Sequence, residues 1–442
     1  MGGCARIRAL TLEVSMLRVA LGSALALVTS VASAQDLAAR VAAVEANVIE
    51  ARRDFHAHPE LGFMEKRTAG IVAKRLRKLG LEVREGVGKT GVVGVLRGGK
   101  PGRVVALRAD MDALPVTEET GLPFASKVRA AYNGQDVGVM HACGHDAHTA
   151  ILLGVAEVLA GMQSELAGTV VFLFQPAEEG GAPGQLGGAQ AMLADGALAN
   201  PKPEAVFGLH VGPWNAAGEI NLVPGPAMAA SDRFRIVVKG RQTHGAMPAA
   251  GIDPIPVAAR IVLAIETLPA REIDVMTPSV VTVGAIHGGV RNNIIPETTE
   301  MIGTIRSFDE AAREALHGKI VRVATKTAEA SGAIAEVEIE RGYPVTFNHE
   351  ARSAWARGVL EGALGAGKIH AGKPVTGAED FSYFANEVGG VFLFLGTRDP
   401  KLSPAEAAPN HSPRFLVDES ALVAGVRALA ELAVAFNTGD GE

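Results

Sequence analysis

The chain is expected to be an α/β protein. One discontinuous domain is built on a mainly parallel sheet covered by helices, and a smaller βαββαβ domain is inserted into it. Three observations carry this expectation. Apolar runs without polar alternation, such as VVALRAD (Val104 to Asp110), VVFLFQ (Val170 to Gln175) and VFLFLG (Val391 to Gly396), alternate with helical stretches, as parallel strands buried on both faces do. In the middle of the chain the runs instead alternate apolar and polar residues, as in RFRIVVKG (Arg233 to Gly240) and AIAEVEIERG (Ala333 to Gly342), the mark of half-buried strands. Beyond residue 342 the first pattern returns, so the outer segments belong together.

The elements follow in order. Asp36 to His56 has helical periodicity with no Gly or Pro and leads into the turn HAHPELGF; Glu65 to Leu79 is a second helix, stopped by Gly80. Val92 to Leu96 and Val104 to Asp110 are strands, His145 to Leu159 a helix, Val170 to Gln175 a strand, Ala189 to Leu198 a helix and Ala205 to Val211 a strand. After the strand Arg233 to Gly240 comes a helix over Asp253 to Leu268, with proline near its start as a helix N-terminus prefers. Ser279 to Ile286 and Glu300 to Arg306 are strands, Glu310 to Ala330 a helix and Ala333 to Gly342 a strand. That order is a split βαβ unit of ferredoxin-like type. Ala351 to Leu364 and Asp418 to Ala435 are helices on either side of the strand Val391 to Gly396. The expected segments are 35–228 and 342–442 for the larger domain and 229–341 for the insert.

Composition narrows the function. Of 442 residues, 48% are hydrophobic and 20% charged, an ordinary globular balance. An aromatic share of 5% and a formal charge of -6 argue against stacking on single-stranded nucleic acid and against a polyanionic partner. Residues 1–34 form a signal peptide: Arg18, an apolar run from Val19 to Val28 and the exit Ala32-Ser33-Ala34. The run is short for a membrane span, and Met16 is a candidate true start. The chain is therefore expected to be exported, with the periplasm as destination and no stable membrane anchor. Removing the peptide takes away three arginines and one glutamate, leaving a more acidic chain, and it leaves Cys143 as the sole thiol. Internal disulfides are then excluded, and a lone thiol in an oxidising compartment calls for an occupant.

The chemistry-bearing residues gather beyond the ends of expected strands, where open α/β sheets bind ligands. MHACGHDAH (Met140 to His148) packs three histidines, an aspartate and a cysteine into nine residues. Cys143, His145, Glu179, His210 and His411 offer thiolate, imidazole and carboxylate, a set suited to zinc and other late first-row metals. Five protein donors exceed what one catalytic ion with an open position needs and match two ions sharing a ligand, with Cys143 well placed to be shared. In QPAEE one glutamate of the pair ligates and the other is free to move a proton. A Cys143–His145 nucleophile pair is the rival reading, but it leaves both glutamates, His210 and His411 without a role. His287, His317, His349 and His370 are read as structural or solvated.

RADMDALP (Arg108 to Pro115), MHACGHDAH, QPAEEG, GLHV, THGAMP (Thr243 to Pro248), NIIPE, GTIR, GAEDFSYF (Gly377 to Phe384) and NHSP together resemble the aminoacylase/carboxypeptidase family of dinuclear metallohydrolases. The likeness is strongest to its N-acyl-amino-acid amidohydrolases, such as hippurate hydrolase and indoleacetyl-amino acid hydrolase. The resemblance spans the chain beyond the signal peptide. It implies two divalent ions per subunit, zinc or manganese with nickel and cobalt as alternatives. It implies Cys143, His145, Glu179, His210 and His411 as ligands, Glu178 as general base and Asp112 as a residue orienting a ligand. It assigns His244 to the oxyanion and Asn293 (or Asn292) and Arg306 to the substrate carboxylate. The inserted domain would be a lid that joins two copies into a homodimer. The expected function is hydrolysis of the amide bond of N-acyl (acetyl, benzoyl or indoleacetyl) amino acids. A dipeptidase or carboxypeptidase on the same site is the near alternative, and a non-catalytic exported small-molecule binding protein is the alternative of another class.

Overall fold

In the computed structural model, residues 36–180 and 185–439 are described; the signal peptide expected at 1–34 lies outside them. Strands β1 (Glu82–Val87), β2 (Gly91–Arg97), β3 (Lys100–Asp110), β4 (Ala167–Gln175), β5 (Ala205–Ala216), β6 (Gly225–Met228), β11 (Thr346–Asn348) and β12 (Gly390–Arg398) form the main path of a ten-stranded sheet, joined by the short strands Ile220–Leu222 and Ile369–Ala371, with β7 to β10 lying in the segment between. Its order is β1-β2-β4-β3-β5-β12-β11-β6. The strands from β4 through β3, β5 and β12 to β11 run parallel, and β1, β2 and β6 close the edges antiparallel.

The continuous apolar runs reflect layers on both faces. Val105, Leu107, Phe172, Phe207 and Leu393 pack into a core with α1 (residues 36–57), α2 (Lys66–Lys78), α3 (His145–Ala160) and the closing helix α9 (Leu422–Asn437). Their neighbours Ala106, Val171, Val206 and Phe392 face the other way, onto α4 (Gly188–Ala194) and α8 (Phe381–Val388). Successive side chains of a strand point to opposite faces, so a strand with both faces covered reads as a nearly continuous apolar run.

Residues 230–341 make a second sheet with its own core. Its strands β7 (Ala230–Lys239), β8 (Ser279–Gly288), β9 (Thr298–Ser307) and β10 (Ile334–Arg341) are antiparallel in the order β8-β9-β7-β10. Helices α5 (Pro254–Glu266) and α6 (Glu310–Glu329) cover one face, packing Ile261, Leu316 and Ile320 on Phe234, Ile236 and Val238. Arg233, Arg235 and Lys239 point outward, which is the alternation the sequence displays. After this sheet β11 rejoins the main one, and α7 (Glu350–Leu364) follows it.

Some boundaries differ from expectation. The helix expected over Ala189 to Leu198 ends at Ala194, and the closing helix begins at Leu422 after a single 3-10 turn. The short strands β6 and β11, the hairpin Arg129–Tyr132/Gln135–Gly138 and helix α8 were not expected. No helix among the described residues is long and apolar enough to cross a membrane.

Candidate metal centre

The central parallel strands end on one edge, and the chemistry gathers there. β3 leads to Asp112, β4 to Glu178 and Glu179, β5 carries His210, and the loop after β12 returns to His411. Cys143 and His145 come from the turn that opens α3. That turn rests on Gly144, whose φ of 94° favours glycine and whose β-carbon would overlap Val211.

Two imidazoles are held in defined tautomers. His145 Nδ1 lies 2.8 Å from the carbonyl oxygen of Asp112, and His210 Nδ1 lies 2.8 Å from that of Val211. A carbonyl only accepts, so both Nδ1 atoms carry a proton, and Nε2 is the nitrogen each ring can offer to a metal. His210 Nε2 is 3.3 Å from Cys143 Sγ, and His145 Nε2 is buried with no hydrogen-bond partner. His411 Nε2 meets Glu179 Oε1 at 3.0 Å. The donor atoms of Cys143, His145 and His210 lie within 4.8 Å of one another, and so do those of Cys143, Glu179 and His411. Cys143 belongs to both sets. Donors of these types at this spacing fit divalent ions, and His145 Nε2, buried without a hydrogen bond, is the kind of atom that a cation satisfies. Asn410 ties the His411 loop down by donating to the carbonyls of Cys143 at 3.0 Å and Val211 at 3.1 Å.

The two adjacent glutamates are aimed by residues far away in sequence. Asp112 Oδ1 accepts the Glu178 N–H and Oδ2 the Glu179 N–H, each at 3.0 Å. Ala177 just before them has φ 45°, a strained value for a residue with a side chain. Its N–H donates to the buried carboxylate of Glu65 at 2.9 Å. Tyr343 donates its hydroxyl proton to the Glu178 carbonyl at 2.6 Å. Burial, then the charges of Glu379, Glu179 and Asp380, hold the Glu178 carboxyl well above the ordinary range. Burial likewise pushes the Cys143 thiol up and His210 down. Contact with Cys143 and Glu179 lifts His411 to about 10.

Two neighbouring clusters of acidic and histidine side chains are satisfied by the protein itself. His148 Nε2 accepts the Val211 N–H at 2.8 Å, so its Nδ1 carries the proton that bonds Asp110 at 2.6 Å; neither nitrogen is left for a metal. Glu379 and Asp380 both bond fully buried Arg108, whose guanidinium lies 2.8 Å and 2.9 Å from them and 2.8 Å from Asp110, while burial raises both carboxyls above the ordinary range. His141 is buried with neither ring nitrogen hydrogen-bonded, and it joins neither donor set.

The cleft above these groups is lined by Arg306, Ser231, Tyr343 and Trp214 as well as by the donors. Arg306 reaches it from β9, half-buried and with no hydrogen bond or ion pair among the described residues. His244 and Asn293 are not brought to the cleft: both are exposed, and they lie together at a remote tip where Gly245 N–H donates to the Asn293 carbonyl at 2.8 Å. Sequence reasoning passed over Glu65, Arg108, Tyr343, Trp214, Glu379 and Asp380. Arg108, Glu379 and Asp380 fall inside motifs already singled out, and only their mutual contact assigns them work.

Residues 106–435 match the peptidase family M20/M25/M40. Over 396 residues, 89% of this chain and 96% of the relative, the sequence is 43% identical to thermostable carboxypeptidase 1 of Saccharolobus solfataricus. It is 38% identical over 382 residues, 86% of each chain, to the N-acetyl-L-cysteine deacetylase of Bacillus subtilis. A crystal structure of a dinuclear metal-binding M20-family peptidase from Bacillus subtilis is similar with a TM-score of 0.75 and 36% identity, covering 89% of this chain and 98% of that one.

Proposed function

The chain belongs to peptidase family M20/M25/M40, and from that premise we propose that it is a metal-dependent amidohydrolase of N-acyl amino acids, releasing a carboxylate and a free amino acid. The observation that carries the reading is the pair of donor sets sharing Cys143, with Glu178 beside them. Cys143, His145, Glu179, His210 and His411 would hold two divalent ions, which when bound polarise the amide carbonyl and activate water. Zinc or manganese is our assignment, and nickel or cobalt suits the same donors.

Glu178 takes the proton of the attacking water and delivers it to the amide nitrogen. A water O–H and the C–N bond break as a C–O and an N–H bond form. Asp112 orients His145 through its carbonyl and both glutamates through its carboxylate. Arg306, a fork unpaired among the described residues, clamps the substrate carboxylate, with Asn293 or its neighbour Asn292 assisting. His244 caps the oxyanion. Because His244 and Asn293 lie away from the cleft of their own chain, we assign them to the site of a second copy. Residues 229–341 then act as a ferredoxin-like lid and dimerisation domain between the catalytic segments 35–228 and 342–442. Exposed Leu263, Met276, Val280, Ile286 and Val290 support this, since they surround the free edge strand β8. The N-terminal pattern of charge, apolar run and small-residue exit supports export to the periplasm.

A carboxypeptidase acting on peptides is the second reading, favoured by the 43% identity to thermostable carboxypeptidase 1. A binding protein without turnover would not need Glu178. The test is free-amine release from N-acetyl, N-benzoyl and N-indoleacetyl amino acids and from dipeptides, on chelator-stripped protein and after adding Mn²⁺ or Zn²⁺. Metal restores turnover, and the best substrate separates acylase from peptidase. Glu178→Ala keeps its metal by elemental analysis and loses about 10²-fold or more in kcat. Turnover that survives metal removal and dies with a thiol-blocking reagent would replace the metal reading with a cysteine nucleophile.

A further inference from the structure

β5 runs past His210 to Trp214, and side chains two apart on a strand share a face. His210, Gly212 and Trp214 are therefore aligned. A β-carbon at 212 would overlap the six-membered ring of the Trp214 indole, so the bare glycine lets the indole lie back along the strand towards His210, their ring centroids 5.9 Å apart. Phe394 of β12, in register opposite His210, meets the indole edge-on at 5.5 Å and 89°. Although so supported, Trp214 keeps 42% of its surface exposed, and it lines the cleft together with Phe394, Met228 and Val375. An aromatic fixed in place yet left open on one side is a recognition surface rather than core.

The other end of the cleft is marked by Arg306, which also lines the adjoining groove along the second sheet, where Trp214 does not reach. An N-acyl amino acid carries its carboxylate and its acyl group on opposite sides of the amide. With the carboxylate at Arg306 and the amide at the donor cluster, the acyl group falls against the indole.

We propose that Trp214, backed by Phe394 and flanked by Met228 and Val375, forms the acyl subsite, and that flat aromatic acyl groups are preferred there over acetyl. This rests on the amidohydrolase reading above and names its substrate class. Gly212 is a positioning residue for it.

The experiment compares kcat/KM of metal-loaded protein for N-benzoyl and N-acetyl forms of one amino acid, and for N-acetyl forms of small and aromatic amino acids. The unmodified chain prefers benzoyl. Trp214→Ala lowers the benzoyl-to-acetyl ratio about tenfold without changing the ratio between amino acids. Gly212→Ala, which keeps the indole but displaces it, moves the acyl ratio in the same direction. A binding readout is independent of turnover: in Trp355→Phe the indole of Trp214 is the sole tryptophan, and sodium benzoate quenches its fluorescence saturably. An unchanged acyl ratio, or a change confined to the amino-acid series, overturns the subsite while leaving the amidohydrolase reading intact. No hydrolysis of any N-acyl amino acid by the metal-loaded unmodified chain overturns both.

Discussion

Arg108 is buried in an acidic floor. Burial works against its charge, but Glu379, Asp110 and Asp380 outweigh it and keep the guanidinium protonated. Each contact is direct, and Nε also donates to Gln175 at 2.8 Å. Replacing it with methionine keeps the volume and strands the carboxylates, a change that costs about 3–5 kcal/mol when a buried pair is broken from one side. Urea unfolding of Arg108→Met measures this. A loss under about 1 kcal/mol, the range of exposed pairs, would mean that the carboxylates are protonated and need no cation. This residue also marks where sequence reading stops at the residue scale. Cys143, His145, Glu179, His210 and His411 could be singled out as candidates because a cysteine, histidines and paired glutamates recur beyond strand ends, with the family resemblance choosing Glu179 over Glu178. Arg108, Glu65 and Tyr343 have ordinary types, and their work depends on partners about 270, 112 and 165 positions away.

Helix α1 shows how one element is docked by charge. Arg52 Nε donates to Asp146 Oδ2 at 2.8 Å, and His56 bridges Asp146 at 2.8 Å and Glu118 at 3.0 Å. Burial alone would depress His56, yet Asp146 and Glu118 raise it to about 9 from an ordinary 6.5. A histidine raised on folding stabilises fully below its unfolded pKa and loses that contribution as pH climbs through the folded value. Stability is therefore expected to fall between pH 6.5 and about 9, by on the order of 3 kcal/mol. Urea midpoints across this window should drop less steeply in His56→Gln than in the unmodified chain; parallel curves would remove His56 as the cause. The elements themselves were legible wherever local pattern suffices, as in the long apolar β3, β4, β5 and β12 and the helix opened by Pro254. β6 and β11 are three or four residues long, and only pairing with each other and with β12 makes them strands. α8 is eight residues with no side-chain cap, held by Phe381 and Phe384 in the core rather than by local signals.

At the scale of the molecule, assembly has a direct test. A free edge strand flanked by exposed apolar side chains invites a second sheet edge. Sedimentation of the unmodified chain should give a dimer, and Val280→Lys with Ile286→Lys should shift it to monomer. On the proposal that His244 serves the partner's site, that variant loses turnover while keeping its metal. A monomeric unmodified chain with full activity would sink both the dimer and the partner role.

The sequence by itself determined the two kinds of sheet, since burial on two faces or on one is written in whether polar residues alternate. It also pointed to candidate donors, because a cysteine, histidines and paired glutamates gather beyond strand ends. Tertiary structure decided that Cys143 stands in both donor sets, that Asp112 aims three site residues at once, that Arg306 faces the cleft unpaired among the described residues and that His244 and Asn293 lie outside it. Those outcomes depend on distances between side chains far apart in the chain, which the packing of layers sets and no local spacing encodes.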